Sequence, residues 1–335
     1  MVCLVFYTLP FSHVHIELTT RCNASCPMCM RNLNGDRDHP GLIKLDFEVD
    51  WLDNIDLPAN KLTLCGNYGD PCVHPQLHDV IEKWLTQFDK PIVMMTNGGA
   101  RKPEYWQQLA KLAKDKLHII FGIDGLEDTN HLYRRHVQWN KLMENVQAFI
   151  SAGGNSTWKY IIFDHNKHQV DEANHLARSM GFRKFEKIKT NRFEKNYLPV
   201  LDKNANEIYR LYEAKVESKE FTAKNPNRIK ATREFTGYIE CYAKKESSIY
   251  IAADGRVYPC CNTGYHYNND RSRNTQIIDL QTLIGAPNIQ SSLLSQLVEH
   301  EFLDEIQQRW STTPLEKCKY TCGVYRDNLH AVTAL

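Results

Sequence analysis

The chain has 335 residues, 42% of them hydrophobic, enough for a sizeable core in one large domain or two modest ones. Lys and Arg number 41 against 40 Asp and Glu, a formal charge of +1, which argues against a nucleic-acid surface supplied by bulk charge. Mean hydropathy is −0.51 and no apolar run approaches the ~18–20 residues of a membrane span, so a soluble, cytoplasmic protein is expected. The apolar opening, residues 1–11, lacks the basic start and small-residue cleavage site of a signal peptide.

In chain order, short β-branched stretches recur at residues 13–19, 61–65, 91–95, 117–123 and 158–163, with a weaker one at 183–189. Helical spacing fills the gaps, at 47–57, 77–88, 103–113, 130–151 and 168–180, with Pro103 near a helix start and Gly153 and Gly181 just past helix ends. About six strand–helix units predict parallel strands with right-handed crossovers. Six are too few for a closed eight-fold barrel, so the expected fold is α/β, an open partial (β/α)6 barrel with its active site at the C-terminal strand ends. After about residue 190 the pattern changes. Residues 204–220 read as a polar helix and 224–233 as a basic linker. A strand at 248–252 then leads through Asp254 and Gly255 into a returning strand at 257–258, and a helix at 293–310 precedes the last cysteines. The predicted organisation is a barrel core over 1–195, a helical linker over 196–235 and a small α+β cysteine-bearing domain over 236–335.

Eleven cysteines, an odd number in a long chain, point to metal or redox chemistry rather than a disulfide framework. Their grouping carries the signal, because none lies between Cys72 and Cys241. Cys22, Cys26 and Cys29 sit within eight residues, directly after the first predicted strand. Three thiolates so close can hold one cubane iron–sulfur cluster and leave its fourth iron open to a ligand. Zinc is the competing reading; it would have to recruit His13, His15 or a distant residue as a fourth ligand.

A CxxxCxxC loop after the first strand of a six-fold βα barrel resembles the radical S-adenosylmethionine (radical SAM) enzymes. Further matches fall at successive strand ends. Gly66-Asn67-Tyr68-Gly69-Asp70-Pro71 looks like the family's GGEP motif, with Asp for Glu, which holds the cofactor's methionine amino group. Thr96-Asn97-Gly98 ends the third strand. Gly122-Ile123-Asp124-Gly125 ends the fourth, with Gly122 where members often have Ser, so any ribose contact from that side chain is absent. Asn166, in Phe163-Asp164-His165-Asn166, is a candidate for the cofactor's polar end, and Met28 stands where relatives place an aromatic residue beside the adenine. The resemblance covers about residues 13–190. It implies a [4Fe–4S] cluster on Cys22, Cys26 and Cys29 whose fourth iron chelates S-adenosylmethionine. One-electron reduction then yields a 5′-deoxyadenosyl radical that abstracts hydrogen from a substrate C–H bond. It also implies an electron donor such as flavodoxin or ferredoxin.

Cys241, Gly255, Cys260, Cys318 and Cys322 are similar to the SPASM/twitch extension of these enzymes, which carries auxiliary clusters, although the CxxC pair expected before Cys318 is missing. The resemblance implies one auxiliary [4Fe–4S] cluster on Cys241, Cys260, Cys318 and Cys322, with Cys261 spare. A zinc knot on the same four thiolates is the alternative, and two such knots would make a non-catalytic binding protein. Cys65 reads as a core residue, and Cys72 as either packing or a hydrogen-atom donor. His74, His131, His136 and His165 lie near strand-end loops. Arg134 or Arg135 either pairs with a carboxylate or lies on a solvated face. Relatives with this extension suggest a peptide or protein side chain as substrate, with a carbohydrate- or nucleotide-type small molecule as the alternative.

Overall fold

The computed structural model describes residues 6–190, 192–193, 195–215, 233–265 and 275–327. Its strands, in chain order, are β1 (His13–Ile16), β2 (Leu62–Leu64), β3 (Ile92–Thr96), β4 (Leu117–Gly122), β5 (Asn155–Ile162) and β6 (Lys184–Lys189). There follow β7 (Tyr197–Leu201), β8 (Glu207–Tyr212), β9 (Arg233–Ile239), β10 (Ser248–Ile251), β11 (Val257–Tyr258) and β12 (Gly323–Asp327). The helices are α1 (Leu77–Phe88), α2 (Pro103–Ala113), α3 (Asn130–Tyr133), α4 (Trp139–Ser151) and α5 (Val170–Met180). Past the barrel strands come α6 (Tyr242–Glu246), α7 (Thr275–Ile284), α8 (Leu294–Leu297), α9 (Glu301–Gln308) and α10 (Glu316–Cys322).

The chain forms two compact units. One comprises residues 17–49 and 62–224, the other residues 1–16, 50–61 and 225–335. In the first, β2 to β6 lie side by side in sequence order, all parallel, with Ile92 opposite Leu117 and Thr157 opposite Lys184. Helices α1, α2, α4 and α5 follow the successive strands, as right-handed crossover units require. Burial alternates along β3 and β4, so one face of each strand is fully covered while the other is only half covered. On the covered face Trp106 of α2 and Phe149 of α4 meet Phe121 of β4 at 5.5 and 6.0 Å between ring centroids. Their burial follows from sequence: α1 buries Leu77, Val80, Ile81 and Trp84, spaced on one helical stripe. Pro103 sits in the first turn of α2, and Gly181 closes α5 with φ +91. The result is the expected α/β fold, an open partial barrel rather than a closed one. Among the described residues no helix is long and apolar enough to cross a membrane.

Four predicted elements are corrected. Within the predicted polar helix at 204–220, residues 207–212 form strand β8, paired antiparallel with β7 from Tyr197↔Tyr212 to Leu201↔Glu207, so the described part of the 196–235 linker is not helical; residues 216–232 lie outside the described residues. Asp202 builds the turn: its Oδ1 accepts from the backbone N–H groups of Asn204 and Asn206 at 2.8 and 2.9 Å. Tyr209 and Leu211 then alternate inward onto the cluster containing Met28, Tyr133 and Phe163. The basic linker at 224–233 lies almost wholly outside the described residues. The helix at 293–310 is broken into α8 and α9, because the His300 side chain accepts from Phe302 N and starts a new helix. The helix at 130–151 is likewise divided, with His136 at φ +67 in the break, and that at 47–57 is a six-residue 3-10 turn over Val49–Asn54.

In the second unit β1 pairs parallel with β10, His13 opposite Ser248, and β10 pairs antiparallel with β11 as the Asp254-Gly255 turn predicts. A separate pair, β9 and β12, brings Gly323 opposite Ile239.

Candidate iron–sulfur and cofactor sites

The loop carrying Cys22, Cys26 and Cys29 has no regular structure until the 3-10 turn Met30–Asn32. Tight backbone turns wind it: Cys29 N donates to Cys26 O at 2.9 Å, and Asn32 N to Cys29 O at 3.0 Å. Every thiol meets an N–H donor. Cys22 Sγ accepts from Ala24 N at 3.4 Å and Asn97 Nδ2 at 3.7 Å, Cys26 Sγ from Arg134 Nη1 at 3.7 Å, and Cys29 from the backbone of Arg31. Burial pushes all three thiols up, Cys26 to about 11 with Arg134 pulling the other way, and the Cys22 and Cys26 thiols are raised further by their neighbours in the trio. Three sulfurs sharing one neighbourhood, each with an N–H aimed at it, are a donor set that fits an iron–sulfur cluster. Among the described residues no three His, Cys, Asp or Glu side chains close on a single metal ion. A cubane attaches each thiolate to a different iron and so spaces its ligands more widely than one ion does.

The loop after β2 is braced from behind. Glu17, fully buried, accepts from Tyr68 N at 2.7 Å and Gly69 N at 3.4 Å. A Cβ at Gly69 would lie 1.7 Å from Thr19 O, so only glycine lets this loop seat. The Asp70 carboxylate accepts from Cys72 N (3.1 Å), Thr96 Oγ1 (2.7 Å), Asn97 N (2.7 Å) and Asn97 Nδ2 (2.7 Å), tying the loop after β2 to the end of β3. Pro71 opens the short 3-10 turn that Asp70 caps. Asn97 in turn reaches the cysteine loop through Asn23 Oδ1 at 3.0 Å. Glu17 escapes a sequence reading because one carboxylate in an apolar stretch carries no motif.

At the end of β4, Asp124 is fully buried. Its Oδ1 accepts from Ile161 N and its Oδ2 from Arg134 Nε at 2.6 Å; burial raises its pKa while Arg134 opposes the rise. Arg135 pairs with Asp36 at 2.8 Å, as does His136, so both adjacent arginines find carboxylates. Asn166 uses its whole carboxamide on the turn after β5, accepting from Phe163 N and donating to Asp124 O and Ile161 O. Met28 is buried among Tyr133, Phe163 and Phe193, while its carbonyl accepts from Arg192 Nη1 at 3.3 Å. Of the strand-end histidines, His74 is a structural link, its Nε2 against Phe47 O at 2.9 Å and its Nδ1 accepting from Gln76 N. His131 is exposed. His165 stacks on Phe163 with both ring nitrogens buried and without a hydrogen-bond partner among the described residues. Cys72 is fully buried, and burial raises its thiol well above the usual range.

In the second unit Cys241 caps α6, Cys260 follows β11, and Cys318 and Cys322 sit one turn apart on α10. These four line one cavity together with Ile239, Pro259, Ile306 and Trp310. Cys261 is not among them; its Sγ lies 3.9 Å from the Tyr242 hydroxyl. Burial raises Cys318, and brings Cys241 to about 12 and Cys322 to about 11. The Tyr7 hydroxyl is buried with no hydrogen-bond partner among the described residues, while the Trp310 side chain bonds the Cys318 thiol and opposes its rise. Cys3 lies outside the described residues.

A model of the radical SAM superfamily matches residues 16–178, the stretch that holds the cysteine loop and the braced strand ends. This stretch is a radical SAM domain. A tungsten-containing aldehyde ferredoxin oxidoreductase cofactor-modifying protein of Pyrococcus furiosus is 29% identical over 119 residues, 34% of this chain and 31% of that protein. The match therefore spans about a third of that curated relative. Streptococcus suis SuiB bound to S-adenosylmethionine superposes with a TM-score of 0.53 at 13% identity, over 80% of this chain and 64% of that one. The protein designated anSMEcpe, also with S-adenosylmethionine bound, gives 0.54 at 13% identity over 92% and 88%. At that identity the likeness shows the fold.

Proposed function

We propose that this chain is a radical SAM enzyme that modifies a peptide or protein side chain, with Cys22, Cys26 and Cys29 holding the [4Fe–4S] cluster that binds S-adenosylmethionine. When bound, the pair supplies a carbon radical able to take hydrogen from an unactivated C–H bond. The observation that carries the reading is the thiol trio with an N–H donor on each sulfur, inside the matched domain. The protein's own part is to place and to exclude. Glu17 and Asp70 freeze the loop after β2 so that its backbone can approach a ligand, and Asn97 links that loop to Cys22. Asp124, Asn166 and Met28 complete the strand ends where the cofactor is proposed to lie. An electron donor of flavodoxin or ferredoxin type would reduce the cluster.

Cys241, Cys260, Cys318 and Cys322 are proposed to hold a second [4Fe–4S] cluster in a SPASM/twitch-like domain, the support being that all four, and not Cys261, line one cavity. The peptide substrate is supported by structural relatives: SuiB is known bound to precursor peptide SuiA, and anSMEcpe bound to a Cp18Cys peptide. Iron and zinc content after anaerobic reconstitution tests both sites. Roughly eight irons per chain, falling to about four in a Cys22/Cys26/Cys29→Ala variant, are expected. That variant should also lose all S-adenosylmethionine cleavage under dithionite. One zinc in both proteins and about four irons in the wild type alone would withdraw the second cluster; no iron dependent on the trio would sink the enzyme reading.

A further inference from the structure

Arg134 joins three features that are separate in sequence. Its Nε donates to Asp124 Oδ2 at 2.6 Å, and its Nη1 to Cys26 Sγ at 3.7 Å. Its third nitrogen fills the space beside Gly122, where a Cβ would come within 2.4 Å of Nη2 and 3.0 Å of Cζ. A serine at 122 would thus displace this guanidinium from its present place. The glycine, read from sequence as a lost contact, is what admits the guanidinium. Asp124 is itself immobile, since Ile161 N holds its other oxygen, and the Tyr133 ring lies 5.3 Å from the guanidinium carbon. The fork is therefore fixed at one end by a buried carboxylate and offers its other end to a cysteine of the trio.

We propose that Arg134 is a positioning residue of the first cluster: locked by Asp124 and admitted by Gly122, it donates to the Cys26 sulfur and raises the cluster's reduction potential. The inference rests on the proposed cluster at Cys22, Cys26 and Cys29. Its physical basis is charge. Adding an electron makes a thiolate-bound centre more negative, and an N–H of a permanent cation, aimed at a ligand sulfur in a partly dry site, favours that state over the oxidised one. Arginine suits the task because its rigid fork serves two acceptors at once; a lysine keeps the charge but cannot hold both.

The test uses the full chain, reconstituted anaerobically, with the midpoint potential of the first cluster read by mediated titration and electron paramagnetic resonance. That cluster's signal is the one absent from the Cys22/Cys26/Cys29→Ala variant and altered by added S-adenosylmethionine. Arg134→Gln should keep its iron yet show about tenfold less reduced cluster at a fixed potential, ~59 mV more negative for one electron. Gly122→Ser should move the potential in the same direction by displacing the guanidinium, and Arg134→Lys should fall between wild type and Arg134→Gln. The C-terminal signal should not move in any of them. A merely structural salt bridge would lower thermal stability and leave the potential at its wild-type value; iron-replete Arg134→Gln or Gly122→Ser with that value overturns the proposal. Should Arg134→Gln fail to fold, the Gly122→Ser and Arg134→Lys potentials decide it by the same criterion. Absence of any trio-dependent iron in the wild type would instead remove the cluster reading, and the arginine's role with it.

Discussion

The two cysteine sites hold their thiols in different ways. In the radical SAM domain three thiols sit on an irregular loop, and polar groups from the end of β3 and the end of α3 reach its sulfurs: Asn97 to Cys22 and Arg134 to Cys26. In the other unit four thiols come from a helix cap, a strand end and one face of α10, in a cavity that mixes Ile239, Pro259, Ile306 and Trp310 with polar Asn262, Thr263, Lys317 and Thr321. The first takes donors from residues far along the chain; the second takes partners for three of its thiols from residues closer to them, the backbone of Lys244 by Cys241, Thr263 by Cys260 and Trp310 by Cys318. Three ligands leave a coordination position open for chemistry, whereas four close it. The contrast teaches that the domain proposed to bind a polar cofactor has committed its polar groups in advance, so that little reorganisation is left to the moment of reaction.

Four measurements would break or sharpen that contrast. The largest effect is expected from Cys318→Ala, which should remove the roughly four irons of the C-terminal site and none of the first. Cys261→Ala should leave both sites full, since Cys261 turns toward Tyr242. Iron loss with Cys261→Ala would reassign the ligand set. Next comes Asp70→Ala, which strands three backbone or amide N–H groups and the Thr96 hydroxyl that now share one carboxylate. A loss of ~3–5 kcal/mol in denaturant unfolding is expected, together with weaker S-adenosylmethionine binding and unchanged C-terminal iron. Acid should also discriminate. Burial lowers His165 to about 4, from an ordinary value of 6.5, so the folded state favours its neutral form. Its contribution is complete above about pH 6.5 and is lost as pH falls toward 4, up to about 3 kcal/mol. His165→Phe, keeping a ring on Phe163, should flatten that part of the acid limb of a melting-temperature profile. The smallest effect belongs to His300→Ala, which removes the cap of α9 and should lower stability by ~1 kcal/mol. It should leave the iron of the first site unchanged.

The alternation of β2 to β6 with their helices was legible because each element has a strong period of its own and punctuates itself: α1 and α2 begin and end where the sequence places them. The hairpin of β7 and β8 was not, since Glu207, Arg210 and Tyr212 make a half-exposed strand look like a polar helix, and the decisive turn is one Asp202 side chain bonding two residues ahead. The cysteine spacings located the thiols but said nothing of their company. Asp70 meets Thr96 and Asn97 across 26 and 27 residues, and Arg134 meets Cys26 across 108. Such pairings are set by neighbouring strand ends in space. Sequence offered Asp70 as a ligand for an ammonium group; in the folded chain its carboxylate accepts from four of the protein's own donors. Sequence already preferred Cys260 to its neighbour Cys261, but that Cys260 lines the cavity and Cys261 does not needed the direction of the chain after β11.

The seven-residue α10 has one further implication. A helix of two turns has almost no stability of its own in water. Its two cysteines, one turn apart, would give it a reason to persist once the proposed metal group clasps them. Exposure to oxygen that strips the proposed group would then have a structural consequence. It would fray the chain from α10 toward β12, present fresh backbone to proteases, and let damaged copies be cleared while intact ones are spared.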